Sequence, residues 1–230
     1  MTEPTTRPAA PLAEVYDATT RYLQDLDTLT PEQLAGPSAL PGWTRAHVVA
    51  HLALHARGTT RAMTGLLRGE RLPVYDSQEA RDADIETTAA LAPADLRELS
   101  LDACDRWKDA AESVTDPDAL MERTPGQRPF SAYDGVFMRW REVEIHHADL
   151  ASGYTPADWP AAFTTYLLGV LAADRGTDHD LTLRTPSGDV AVGAGGPVVT
   201  GSEADLAWWL LGRGSGEGLS GDLPTLGAWR

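Results

Sequence analysis

Three carboxylates and two histidines fall in the run Arg139-Trp-Arg-Glu-Val-Glu-Ile-His-His-Ala-Asp-Leu150. Glu142 and His146 stand four residues apart, so on a helix their side chains lie one turn apart on the same face. A carboxylate and an imidazole at that spacing can close on one metal ion, and Asp149, a turn further on, can orient a ligating histidine. Glu144 and His147 form a competing pair on the neighbouring face, and a helix salt bridge is the commoner use of either spacing. More imidazoles lie upstream, where His47, His51 and His55 recur at steps of four, three of the chain's six histidines on one face. A first-turn His47 can serve nearby backbone and His55 a core edge, so the column by itself names no ligand. If the two helices are neighbours, His51 in mid-column joins Glu142 and His146. Two imidazoles and a carboxylate with an open position are the donor set of catalytic zinc, with oxygen-binding non-haem iron as runner-up. A Ser-His-Asp triad fits worse, because no serine stands in a glycine-framed elbow.

The stretch 139–150 belongs to a helix read from about 131 to 152, without Gly or Pro after Gly135, with Val136, Trp140, Val143, His147 and Leu150 as its inward stripe. The histidine column belongs to a helix from Thr44, its N-cap, to about Arg68. Before it, a first helix spans about 12–29, and Thr30-Pro-Glu-Gln33 carries the signature of a capping box with Pro at the first helical position. Further helices are expected from Ser77 to about Leu91 and from Pro93 to about Val114, and 115–128 is expected to be loop. Arg81, among the acids of its helix, reads as a local partner rather than an anion contact. Residues 1–152 therefore predict a helical bundle.

After Gly153 the texture changes. A helix over about 158–174 precedes strands at 181–185, 190–192 and 198–200, a helix over 202–211, and a tail, 223–229, that should pack back. The glycine-rich 193–197 loop lacks a phosphate-binding pattern. The fold class is α+β: a bundle over 1–152 and a small α/β domain over 153–230.

The formal net charge of −15, from 34 acidic and 19 basic residues, argues against nucleic acid as a partner. Lys108 is the only lysine, which disfavours Schiff-base chemistry, and Cys104 the only cysteine, which removes disulfide and CxxC functions. Cys104 lies inside a helical pattern and reads as a packed residue, so any thiol chemistry needs a thiol from outside. No segment approaches the ~20 apolar residues of a membrane span, and the polar N-terminal stretch has no signal-like apolar core, so a cytoplasmic protein is expected.

The segments Pro41-Gly-Trp43-Thr-Arg-Ala-His47-Val-Val-Ala-His51, Tyr75-Asp-Ser-Gln-Glu-Ala-Arg81, Arg141-Glu142 through His146 to Leu150, and Gly212-Arg213-Gly-Ser resemble, in order and spacing, the mycothiol-dependent maleylpyruvate isomerases. The resemblance implies a DinB-like four-helix bundle, a divalent metal, most simply zinc, held by His51, Glu142 and His146, and a catalytic arginine at Arg213. It leaves His47 outside the metal set, and His55 and His147 as additional histidines beside it. The implied reaction is cis-to-trans isomerisation of maleylpyruvate to fumarylpyruvate in gentisate breakdown. A thiolate adds to the double bond, the resulting single bond rotates, and elimination restores the alkene. The implied partners are a small dicarboxylate and the low-molecular-weight thiol mycothiol, with the protein a monomer or small homo-oligomer. The alternatives are a zinc- and mycothiol-dependent S-transferase acting on another electrophile, and a non-catalytic metal-binding module whose metal has a fourth protein ligand.

Overall fold

A computed structural model describes residues 9–227 and 229. The chain divides into two compact units, Met1–Gly153 and Tyr154–Arg230.

The first unit is helical. Helices α1 (Leu12–Thr28), α3 (Arg45–Leu67), α5 (Pro93–Ser113) and α6 (Ala132–Asp149) form the bundle, with α2 (Pro31–Ala35) and α4 (Gln78–Ala89) packed on α3. Both α1 and α3 pack against α5 and α6. Local chemistry sets the helix starts. Thr30 and Gln33 make the reciprocal bonds of a capping box, Thr44 accepts from the His47 amide, and Ser77 accepts from the Ala80 amide. The α1 stripe is Val15, Ala18, Tyr22 and Leu26, while Leu12, Thr19 and Leu23 stay partly exposed. On α5, Ser100 is fully buried, and the Tyr22 hydroxyl is its hydrogen-bond partner at 3.0 Å.

The expected 115–128 loop contains one short exception. β1 (Leu120–Met121) pairs antiparallel with β2 (Phe130–Ser131), and buries Met121. Strands of two residues carry too little pattern to be read from sequence. Beyond β1, the carbonyls of Glu122 and Arg123 accept from the amides of Val74 and Tyr75, which fixes the segment leading into α4. That segment lies directly on α3 because residue 58 is glycine. A Cβ there would come within 2.5 Å of the Val74 carbonyl oxygen.

In the second unit, a 3-10 turn at Pro156–Asp158 leads to α7 (Ala161–Arg175), and β3 (Leu181–Thr185), β4 (Gly188–Val192), β5 (Val198–Thr200), α8 (Glu203–Leu210) and β6 (Ser220–Gly221) follow. The sheet order is β4-β3-β5-β6, with β3 and β5 parallel and the other pairs antiparallel. Leu181, Leu183, Val192 and Val199 are buried, together with Phe163, Leu167 and Leu171 of α7 and Leu206 and Leu210 of α8. The tail does fold back within this unit. Trp229 donates its indole N–H to Asp174 at 2.7 Å and its amide to the Leu211 carbonyl. β6, which closes the sheet edge beside it, was not expected from the glycine-rich sequence.

Candidate metal centre

The histidine column runs along α3, and its middle ring meets α6. His51 Nε2 lies 2.8 Å from Glu142 Oε2, and His146 Nε2 lies 3.5 Å from the same oxygen. One donor atom from each of these three residues falls within 4.8 Å of the other two. The rings of His51 and His146 meet edge to face at 4.6 Å. Behind His146, Asp149 Oδ2 lies 2.9 Å from Nδ1 and its side chain is fully buried. That contact puts the ring proton on Nδ1 and turns the Nε2 lone pair toward Glu142, as metal-binding imidazoles require.

The alignment of α3 with α6 depends on Arg45, whose type drew no notice in the sequence. Its Nε donates to the Leu150 carbonyl at 2.7 Å and its terminal nitrogens to the carbonyls of Ala151 and Gln33. This ties the first turn of α3 to the orphan carbonyls at the end of α6.

The other two rings of the column have different uses. His47 accepts the Thr44 amide at Nδ1 and faces exposed Glu86 with Nε2 at 3.3 Å, so it closes the helix start. Buried His55 receives an N–H from Arg139 at Nδ1 (3.4 Å), which leaves its proton on Nε2, 4.0 Å from Glu142 Oε1. In that form His55 turns an N–H toward Glu142 without closing a hydrogen bond, and it offers no lone pair on that side. Arg139 is fully buried, with its guanidinium also on the Leu52 carbonyl and 3.4 Å from Cys104 Sγ. It was overlooked because it sits one residue from the apolar stripe of α6, where a cation has no obvious use.

The competing pair faces α1 instead. Glu144 is bound by Arg21 at 2.7 Å and His147 Nε2 by Asp25 at 2.8 Å. Arg21 and Asp25 are four apart on α1, so the two contacts join α1 to α6, and Glu144 and His147 stand outside the group of three.

Arg81 makes the local pairing read from the sequence and one contact that the sequence did not show. One terminal nitrogen does pair with neighbouring Asp82, at 2.7 Å, but the other lies 3.2 Å from His51 Nδ1. Its guanidinium also lies 5.8 Å from the centre of the Tyr75 ring. Beside it opens a cavity of about 390 Å³ lined by Arg57, Gly58, Tyr75, Asp84 and Thr88 among others.

Burial governs the protonation of the group. It pushes His51 down to about 4 and His55 down to about 3, against the opposing pull of Glu142, so both rings are neutral near pH 7. For Glu142 burial acts upward, but the rings of His55, His51 and His146 outweigh it and hold the carboxyl well below its usual range. Tyr75 is pushed up to about 12 by burial and by the charge of Glu142. Burial also raises the Cys104 thiol, which suits a packed residue.

These residues fit a divalent cation. Two imidazole nitrogens and an ionised carboxylate converge, one ring is already oriented from behind, and the donor set is the nitrogen–oxygen mixture zinc prefers. Among the described residues, His55 Nε2, the Tyr75 hydroxyl and Arg81 Nε are buried around the group without a hydrogen bond.

Arg213 belongs to the second unit. It follows α8, its amide donates to the Trp208 carbonyl at 3.1 Å, and Gly212 and Gly214 on either side have left-handed backbone (φ 75° and 66°).

Comparison with known proteins gives three findings. The family described as "Mycothiol maleylpyruvate isomerase N-terminal domain" matches residues 15–151. A crystal structure of the mycothiol-dependent maleylpyruvate isomerase superposes with a TM-score of 0.86 at 28% identity, covering 95% of each chain. The structure of a histidine-to-alanine mutant of that enzyme matches equally well. Among curated proteins, none matches the chain.

Proposed function

Since the chain belongs to the mycothiol maleylpyruvate isomerase family, we propose that it is a mycothiol-dependent cis–trans isomerase that converts maleylpyruvate to fumarylpyruvate at a zinc centre held by His51, Glu142 and His146. The observation that carries this reading is the convergence of those three donors within 4.8 Å of one another. It occurs in a chain that is 28% identical to a maleylpyruvate isomerase over 95% of its length.

Bound zinc supplies a Lewis acid able to keep a thiol ionised near neutral pH or to polarise a carbonyl. The protein's own residues prepare the place for it. Glu142 brings the negative charge, His146 presents Nε2 with Asp149 holding its Nδ1 proton, and His55 turns an N–H toward the far oxygen of Glu142. Cys104 cannot serve as the nucleophile, being buried with its thiol raised, so the sulfur is assigned to mycothiol. Arg213 is assigned to a substrate carboxylate, a contact for which the planar guanidinium fork is suited.

The test is an assay of maleylpyruvate with mycothiol on the metal-loaded protein, after chelation, and with His51→Ala. Loss of turnover in the last two is expected, and unchanged turnover in both overturns the metal mechanism. Product analysis separates the two thiol chemistries. Fumarylpyruvate with thiol recovered supports the isomerase, and a stable mycothiol adduct supports the S-transferase.

A further inference from the structure

Between α3 and α4 lies the cavity of about 390 Å³, which is within the size range of small-molecule sites. Its wall includes buried Val74 and Tyr75 and exposed Arg57, Arg61, Asp76 and Asp84. Arg61 and Asp76 pair at 2.8 Å. Arg57 and Asp84 carry opposite charges in the same wall, yet neither makes an ion pair among the described residues. Two further wall atoms, the Tyr75 hydroxyl and Arg81 Nε, are buried without a hydrogen bond. Buried polar atoms are nearly always bonded, so this wall is completed by a polar occupant drawn against it. The charges select the occupant's class. An anion would meet Asp76 and Asp84, and a cation would meet Arg57, Arg61 and Arg81. A neutral polyol meets neither objection, because each hydroxyl can donate to a carboxylate and accept from a guanidinium. Leu54 and Val74 add apolar surface for the C–H face of a ring.

We propose that this cavity binds the polyhydroxylated sugar part of the thiol cofactor, so that the thiol is delivered to the metal centre from the groove between α3 and α4. This rests on the mycothiol reading above and adds the place where the cofactor is gripped. The cavity adjoins the centre. Leu54 and Gly58 in its wall lie about one and two turns along α3 from His51. Arg81 of the same wall reaches His51 at 3.2 Å, and Tyr75 stands near enough to Glu142 to feel its charge. A sulfur on a short arm from the sugar is thereby brought beside the three donors. The arrangement also gives α4 a use. This helix supplies none of the three donors, but Arg81, Asp84 and Thr88, spaced by three and four, turn one of its faces to the cavity. A polyol is, moreover, indifferent to the chain's net charge of −15.

The experiment is calorimetric titration of the full chain, with and without Zn²⁺, using glucosaminyl-inositol, the sugar part of mycothiol without its cysteine. Saturable binding of equal strength in both forms is expected, because the sugar touches no metal ligand. Arg57→Ala and Asp84→Ala should each weaken it about tenfold, the loss of one hydrogen bond to a charged group. Both residues are exposed, so the variants should fold as the wild type does. Thr88→Trp, which fills the cavity from its wall, should abolish binding by a second route. Glu79→Ala removes an exposed α4 charge outside the cavity and should change binding less than about twofold. Binding unchanged in Arg57→Ala, Asp84→Ala and Thr88→Trp overturns the proposal, as does the absence of sugar binding to a protein whose turnover needs mycothiol. If turnover does not need mycothiol, it is the cofactor reading that fails, and the titration still decides whether the cavity takes a polyol.

Discussion

Replacing Asp149 with Asn should weaken zinc binding more than it weakens the fold. The Asp149 carboxylate sits 2.9 Å from His146 Nδ1 with no solvent exposure, so water does not screen the interaction. Asn keeps a neutral oxygen in place but loses the charge, and charge-assisted hydrogen bonds are roughly twice as strong as neutral ones. A loss of about 1–2 kcal/mol follows, which is about 5- to 30-fold in zinc dissociation constant. Asp149→Ala removes the acceptor altogether and should move the effect toward the ~100-fold seen when outer partners of metal ligands are lost. Stability should respond differently. Asp149 is the last residue of α6, where a negative charge opposes the helix dipole, so relief of that repulsion offsets part of the lost bond and the urea midpoint of the metal-free Asn variant should fall only slightly. Chelator competition gives the first quantity and urea unfolding of the metal-free protein the second. A folded Asn variant that binds zinc within twofold of wild type would refute the claim that Asp149 orients His146.

Two further outcomes follow from burial. Cys104→Ala should keep thiol-dependent turnover within about twofold while costing about 1 kcal/mol of stability by urea unfolding, as for a typical small core substitution; loss of turnover in a folded variant would make Cys104 part of the chemistry. The metal-free protein should lose stability as pH falls from about 6.5 toward 4. His51 and His55 are held down at about 4 and 3 when folded, so below 6.5 the unfolded chain takes up protons that the folded one refuses. Each ring contributes a slope of up to about 1.4 kcal/mol per pH unit in that window and nothing above it. His55→Gln should therefore flatten the acid side of the stability profile, and an unchanged slope would mean that the ring is not buried neutral.

Much of the bundle was legible because its helix starts are written in local chemistry. Thr30 with Gln33, Thr44 and Ser77 each satisfy backbone amides within three residues, and such signals need no tertiary context. The Glu142–His146 spacing was legible for the same reason, being set by one helix turn. What could not be read was the second partner of each charged side chain. The acids around Arg81 suggested a local pairing, and Asp82 provides one, but the nitrogen that matters reaches a ring 30 residues away. Glu144 and His147 looked as eligible as Glu142 and His146 until α1 supplied Arg21 and Asp25 to them. Arg45 and Arg139 act on carbonyls and a ring contributed by other helices, and nothing in their own surroundings signals it. The short strands β1, β2 and β6 fall below the length at which alternation can be recognised.

A chain with a net charge of −15 has an unfavourable long-range field for a dicarboxylate, yet a favourable one for a divalent cation. The interior of the bundle reverses that balance over a few ångströms. Arg81 lies against His51, Arg139 against His55, and Arg81 and Arg123 lie 5.8 and 5.7 Å from the centre of the Tyr75 ring. Local guanidinium groups in a poorly screened site outweigh distant surface charge, because the Debye length at physiological salt is about 8 Å. The same cations would repel a metal ion if they were free to face it. Arg81 and Arg139 are instead placed behind the rings of His51 and His55, so that a neutral imidazole stands between each of them and Glu142. Interposing neutral rings keeps the guanidinium groups off the Glu142 carboxylate, so its negative charge stays unneutralised on the side where the two imidazoles converge.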